Sequence, residues 1–370
     1  MRLPPFLLDR WLEQKHAADS PIEYDLGSST GPVWTLRELL GLANGDGHEW
    51  LLDTALVYTS ATGALELREA IAKLQGVDPA EVQVVTGAAE ALLMLFVQAA
   101  GPDANVVLPH PAFPTNAALA DCFGIEVRYY RLRPENQFRI DLDEIRRLVD
   151  RNTRFVLVNS PHNPTGAVLT NREMESLHDF CAERAVQFVS DEVYHPIYHG
   201  EEMPSAARLP RATVLSDFSK ALCLSGLRMG WIIERDAQRR QAYTDAHSYF
   251  TVSNTALSER LAVVALSQVQ KIYDRARCVA GTNLASLAAV LDAHADKIRW
   301  TKPQGGMTAF PALANRLEGR EFCRRLAQRG VLLMPGDCFG EPAHFRVGFA
   351  ASGDGFGRGL ERLAEFLDYS

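Results

Sequence analysis

Six cysteines, none of them in a Cys-x-x-Cys pair, lie far apart in a chain of 370 residues, at Cys122, Cys181, Cys223, Cys278, Cys323 and Cys338. That scatter excludes a zinc ribbon or a thioredoxin-like redox motif and fits reduced thiols in a cytosolic enzyme. No apolar run approaches the length that spans a bilayer, so no membrane partner is expected. Met1 to Gln14 alternates apolar and charged residues and lacks the unbroken apolar stretch of a signal peptide. Long basic runs are missing and the formal net charge is −8, which argues against a nucleic-acid partner. Repeats and low-complexity tracts are absent too. The expected location is therefore the cytoplasm.

What is present is ordinary globular material, 47% hydrophobic and 23% charged. The length predicts one large domain with a smaller companion. Through the centre, β-rich stretches alternate with helical ones. Strands are expected at 82–86, 105–108, 126–130, 155–159, 187–190, 212–216 and 230–233, with helices at 88–100 and 173–183. That alternation predicts an α/β fold with a mainly parallel sheet covered on both faces. Continuous runs such as Phe155-Val156-Leu157-Val158 suit strands buried on both sides. Residues 257–294 read as helical. Beyond Lys302 the pattern becomes α+β, with strands at 307–310, 331–334 and 345–349 and a helix at 320–330. The expected division is a large domain over 51–270, a small C-terminal domain over 271–370, and residues 1–50 joining the small domain.

Five short motifs follow one another. They are Ser-Pro-His-Asn-Pro-Thr-Gly at 160–166, Asp-Glu-Val-Tyr at 191–194, Ser-Lys at 219–220, Gly-Leu-Arg at 226–228, and Phe-Arg-Val-Gly at 345–348. Lys220 follows an apolar strand, at the end of an α/β sheet where ligands bind. An amine there suits a Schiff base with an aldehyde and the later shuttling of a substrate proton. An isolated lysine is more often simply exposed. Asp191 follows another buried strand, and a carboxylate beside a pyridine nitrogen favours the protonated ring; alone, it would read as a strand-end cap. Tyr194 and Asn163 are placed to hold a phenolic oxygen, although a turn asparagine commonly bonds its own backbone. Ser219 and Arg228 are phosphate candidates, because arginine offers paired donors. Gly87, Ala88 and Ala89 open a helix whose free N–H groups suit the same anion. Phe113, in Pro-Ala-Phe-Pro, is a candidate to stack on the ring. Arg346 is a charge in an otherwise apolar strand and needs a partner, either a substrate carboxylate or an internal acid. Together these groups match the ring, phenolic oxygen, aldehyde and phosphate of pyridoxal 5'-phosphate, a cofactor that carries the hard chemistry itself. No metal is expected.

These residues resemble the class I/II aminotransferase family of fold-type I pyridoxal-phosphate enzymes, over about Tyr58 to Arg346. Tyr58 with Gly63, Leu67 and Arg68 is similar to the family's early Tyr…Gly…Leu-Arg segment, and Pro335-Gly336 with Phe339-Gly340 to its C-terminal pattern. The resemblance implies a seven-stranded, mainly parallel sheet in the large domain, a smaller α+β domain built from both termini, and a homodimer with shared active sites. It assigns Tyr58 to the neighbouring subunit's cofactor phosphate, Arg346 to a substrate carboxylate, and Asn163 and Gly27 to the substrate site. Trp34, Tyr24, Ser28, Met307 and Phe310 are further pocket candidates. It implies a ping-pong cycle moving an amino group from an L-amino acid to a 2-oxo acid.

Three positions depart from the family pattern. Asp217 stands where relatives often carry a phosphate-binding hydroxyl. Ala88 and Ala89 lack hydroxyls. Gly27-Ser28-Ser29-Thr30-Gly31 replaces the usual Gly-x-Pro entry. The same socket also serves elimination or cyclisation of a modified amino acid, so a lyase or cyclase is the competing enzyme reading. A transcription-regulator effector domain is the non-enzymatic one, disfavoured because no basic recognition helix precedes Tyr58.

Overall fold

The computed structural model describes residues 2–43, 49–314, 318–351 and 354–369. Its centre is a seven-stranded sheet of β1 (Val82–Val85), β2 (Asn105–His110), β3 (Glu126–Arg131), β4 (Thr153–Asn159), β5 (Gln187–Asp191), β6 (Ala212–Asp217) and β7 (Gly230–Ile233). The order across the sheet is β1-β7-β6-β5-β4-β2-β3, and only β7 runs antiparallel to its neighbours. β2, β4, β5, β6 and β7 are almost wholly buried because both faces are covered. Successive side chains point to opposite faces, so each strand feeds two cores. Val107, Val156, Val158, Phe188, Val214 and Trp231 enter one. Val106, Phe155, Leu157, Val189, Leu215 and Ile232 enter the other.

The expected strands lie where the sequence put them, to within a few residues, except that the one expected over 331–334 is two, Val331–Leu332 and Met334–Pro335. Helix Asn171–Glu183 starts two residues earlier than expected because Thr170 and Glu173 form a reciprocal capping box. The helical stretch after Leu257 is two helices, Ala256–Ser267 and Val269–Ala293, broken at Gln268. The helix expected over 320–330 is Gly319–Ala327, and Gly330 turns the chain at φ +86°. A helix over Asp354–Asp368, not anticipated from the sequence, packs near Tyr24–Asp25 and the long helix. Among the described residues no helix is long and apolar enough to cross a membrane.

The smaller part is assembled from both ends of the chain. Tyr24–Asp25 pairs in parallel with Val331–Leu332. Phe345–Gly348 pairs antiparallel with Thr308–Ala309 on one side and Met334–Pro335 on the other. The Leu26 N–H donates to the Leu332 carbonyl at 2.9 Å, and the Gly348 N–H donates to the Leu26 carbonyl at 2.8 Å. These bonds anchor the start of the 27–31 strap against the strand that carries Arg346. Gly348 leaves room for it, since a Cβ there would meet the Ser28 carbonyl.

Candidate active site

Three adjacent strand ends form the floor of the site. β4, β5 and β6 stop at Asn159, Asp191 and Asp217, and Asn159 and Asp191 are register partners. Asn159 donates through Nδ2 to the Asp191 carbonyl at 3.0 Å and accepts the Asn163 N–H through Oδ1 at 2.8 Å. One strand-end amide thereby fixes the 160–166 turn over β5. Asp191 is half-buried by exposed area, with protein packed around its carboxyl. Burial pushes it up to about 7; the Val193 N–H opposes this, Asp217 and Glu192 add to it, and Lys220 opposes it. Such a carboxyl calls for a cation.

Lys220 lies three residues past β6 and donates through Nζ to Ser29 Oγ at 3.0 Å. Tyr194 is buried and donates its hydroxyl to the Ser29 carbonyl at 3.4 Å. Arg346 is 1% exposed. It donates through Nη2 to the Gly27 carbonyl at 2.7 Å and through Nη1 to Asn163 Oδ1 at 3.1 Å. With Oδ1 so engaged, Asn163 is left with its amide hydrogens as donors. The guanidinium lies 5.0 Å from the Phe339 ring centroid, and its buried Nε has no hydrogen-bond partner. Burial lowers the Arg346 pKa, with Tyr194, Cys338 and Asp25 opposing. Among the described residues no carboxylate lies within 4.0 Å of it, so the internal salt bridge considered from the sequence is not found there. A buried cation without a counter-charge is a receptor for an anion.

A second group surrounds the start of helix Ala88–Ala99. Gly87 precedes it at φ +78°, and no side chain caps the helix. Arg228, itself at φ +53°, folds over this end; a Cβ on Gly87 would sit 2.7 Å from Arg228 Nη2. Arg228 Nη1 donates to the Ser225 carbonyl at 3.1 Å and lies 3.5 Å from Ser219 Oγ. The two acids nearby are already engaged. Asp217 Oδ1 accepts the Ser219 N–H at 2.9 Å, so this departure from the family serves the turn. Glu90 accepts the Thr86 N–H at 2.6 Å and His247 Nδ1 at 3.0 Å. What is left is a helix N-terminus flanked by a guanidinium and a hydroxyl, the chemistry of a phosphate cradle.

The fold thus brings Gly27, Asn163, Asp191, Tyr194, Lys220 and Arg346 together, and beside them Gly87, Ala88, Ala89, Ser219 and Arg228. Phe113 packs edge-on against Phe6, with centroids 5.9 Å apart, and shares a cleft with Phe339. Tyr58 is 81% exposed and lines a surface cleft with Ser253 and Asn254, with no hydrogen bond of its own to the cluster among the described residues. Ser29, Asn159 and Phe339 were not singled out as site residues. Ser29 lay inside a segment already marked as unusual, but nothing in one dimension places it on an amine 191 positions away. As a set, the groups offer an amine for an aldehyde, a carboxyl seeking a cation for a pyridine nitrogen, and a cradle for a dianion. They fit pyridoxal 5'-phosphate.

The sequence matches the aminotransferase class I and II family over residues 50–363. Capreomycidine synthase of Streptomyces vinaceus is 31% identical, covering 99% of this chain and 94% of its own. A PLP-dependent aminotransferase from Streptococcus suis superposes with a TM-score of 0.92 at 27% identity, over 100% of this chain and 99% of that one. The PLP-dependent cyclase OrfR superposes with a TM-score of 0.90 at 26% identity, over 100% and 98%. The match spans the strand ends, the lysine, the helix N-terminus and the arginine strand, and the protein belongs to the class I and II aminotransferases, enzymes that depend on pyridoxal 5'-phosphate.

Proposed function

We propose that the protein moves an amino group from an L-amino acid to a 2-oxo acid in a ping-pong cycle centred on Lys220. The observation that carries this reading is the pairing of Lys220, an amine at the end of β6, with Arg346, a buried guanidinium lacking a counter-charge, through one strap of chain. An amino acid offers both an amine and a carboxylate, and this site presents complements to both.

Bound pyridoxal 5'-phosphate supplies an aldehyde that condenses with amines and a ring that withdraws electrons. Gly87, Ala88 and Ala89, with Ser219 and Arg228, would hold its phosphate. Asp191 would favour a proton on the pyridine nitrogen, whose positive charge would offset the cost of the carboxyl's burial. Asn163 and Tyr194 would donate to the phenolic oxygen, and Phe113 is the candidate to stack on the ring. Arg346 takes the substrate carboxylate by charge-assisted hydrogen bonds, with Gly27 and Asn163 fixing the plane of the guanidinium. Lys220 Nζ would bind the aldehyde and, as a free amine, would take up the substrate α-proton and release it again.

Tyr58 serves the cofactor phosphate of a neighbouring subunit, so the working form is a homodimer. Leu56, Val57, Tyr249 and Val252 are all more than half exposed, and such apolar surface favours association. The active site lies between a large domain over 51–270 and a small one over 271–370 joined by residues 1–50.

A second reading has its own support. Two similar proteins are named as a synthase and a cyclase, and residues 27–31 lie outside the family match. On this reading the chain eliminates from, or cyclises, a modified amino acid. The deciding experiment is the visible spectrum of the holoenzyme titrated with a panel of L-amino acids. Bleaching to the pyridoxamine form with release of a keto acid establishes transfer. A persistent cofactor band with ammonia or a cyclic product establishes the second reading.

A further inference from the structure

The strap at residues 27–31 touches three working side chains. Its Gly27 carbonyl accepts from Arg346, its Ser29 carbonyl from Tyr194, and Ser29 Oγ from Lys220. Two of these contacts use backbone oxygens, which any residue supplies. The third needs a hydroxyl. It sits 3.0 Å from the amine that must be aimed at a substrate proton. The strap is also well positioned, because hydrogen bonds fix Leu26 from both sides and the Gly27 N–H donates to Asp25 Oδ1 at 2.9 Å. Close by, Cys223 Sγ fills the space beside Gly31.

We infer that Ser29 is a positioning residue for Lys220: its hydroxyl holds the free amine by one N–H and leaves the nitrogen lone pair directed at the substrate α-proton. The inference rests on Lys220 being the catalytic amine. A hydroxyl acceptor suits the free amine, the form of Lys220 that takes up the α-proton. In that step the substrate C–H bond breaks, an N–H bond forms on Lys220, and the electron pair stays with the substrate carbon. Ser29 neither gains nor loses a proton. A flexible four-carbon stem has many rotamers, and the hydroxyl restricts the amine to one region. Because α-proton removal is common to transfer, elimination and cyclisation, the role holds for each of these reactions.

The test uses holoenzyme carrying Ser29→Ala or Ser29→Thr, with the L-amino acid that perturbs the cofactor band in the panel and its α-deuterated form. In S29A the single-turnover rate falls about 10- to 100-fold, the cost of a misdirected base. The α-deuterium isotope effect rises and KM hardly moves. S29T recovers most of the rate. If S29A does not fold, Ser29→Cys, which keeps the volume with a weak acceptor, takes its place. An unchanged isotope effect, or a loss confined to KM, overturns the inference. Lys220→Ala separates the two claims: covalent capture of the cofactor by borohydride that survives K220A sinks the lysine assignment, whereas capture that is lost in K220A while S29A behaves as wild type sinks only the role of Ser29.

Discussion

Arg346 shows what one residue contributes. A guanidinium at 1% exposure is costly unless something offsets its burial, and here a carbonyl, an amide oxygen and a ring face do so only in part. Its unpartnered Nε leaves donor capacity for a ligand. Arg346→Ala is expected to raise KM for amino-acid substrates roughly 10- to 150-fold, equivalent to about 1.5–3 kcal/mol of charge-assisted bonding, with a smaller change in kcat; steady-state kinetics checks it. Asp191 gives a prediction of opposite character. Its carboxyl is raised to about 7 in the cofactor-free protein, so the folded state binds a proton that the unfolded state has already lost. The stability this group contributes is present below about pH 4 and is lost as pH rises towards 7. Cofactor-free wild type should therefore lose Tm relative to Asp191→Asn across that window. Thermal melts of both at pH 4, 5.5 and 7 test this, and a constant difference between them refutes it.

At the scale of elements, the site is a meeting of ends. Strands β4, β5 and β6 stop side by side, and the helix after β1 begins beside the turn that follows β6. Gly87 permits this approach, because its positive φ and missing side chain let Arg228 lie across the helix start. Gly87→Ala should strain the turn by at least about 1 kcal/mol and push Arg228 aside. Pyridoxal 5'-phosphate binding to the apoprotein should weaken roughly tenfold or more, measured by fluorescence titration, while the helix itself persists by circular dichroism. The sheet strands were legible because each is a short apolar run between turn residues, and burial on both faces needs just such runs. The C-terminal helix was not, because Gly355, Gly357 and Gly359 lower the helix propensity of its first turns. The break at Gln268 was equally hidden, since helical periodicity continues on both sides of it.

At the scale of the whole molecule, one chain leaves Tyr58 at the surface among other exposed apolar residues. If Tyr58 works in the neighbouring subunit, Tyr58→Ala and Lys220→Ala are complementary lesions. Each homodimer should be nearly inactive. A mixed dimer should recover one working site, built from the intact lysine of one chain and the intact tyrosine of the other. Activity of refolded mixtures, with light scattering for the mass, checks both parts; no recovery in a mixture that does form dimers would place Tyr58 outside the site.

The sequence by itself determined the fold class, the family and the cofactor that goes with it. Motifs at strand ends carry their chemistry within a few residues, and local order is enough to read them. Only the tertiary structure decided that Arg346 lacks an internal acid, that Asp217 serves a turn rather than the cradle, and that Ser29 meets Lys220. The Arg346 and Ser29 contacts join segments far apart in the chain, set by how residues 27–31 lie against both Lys220 and the strand Phe345–Gly348. No local pattern encodes such a distance, because it depends on packing that every element contributes to at once.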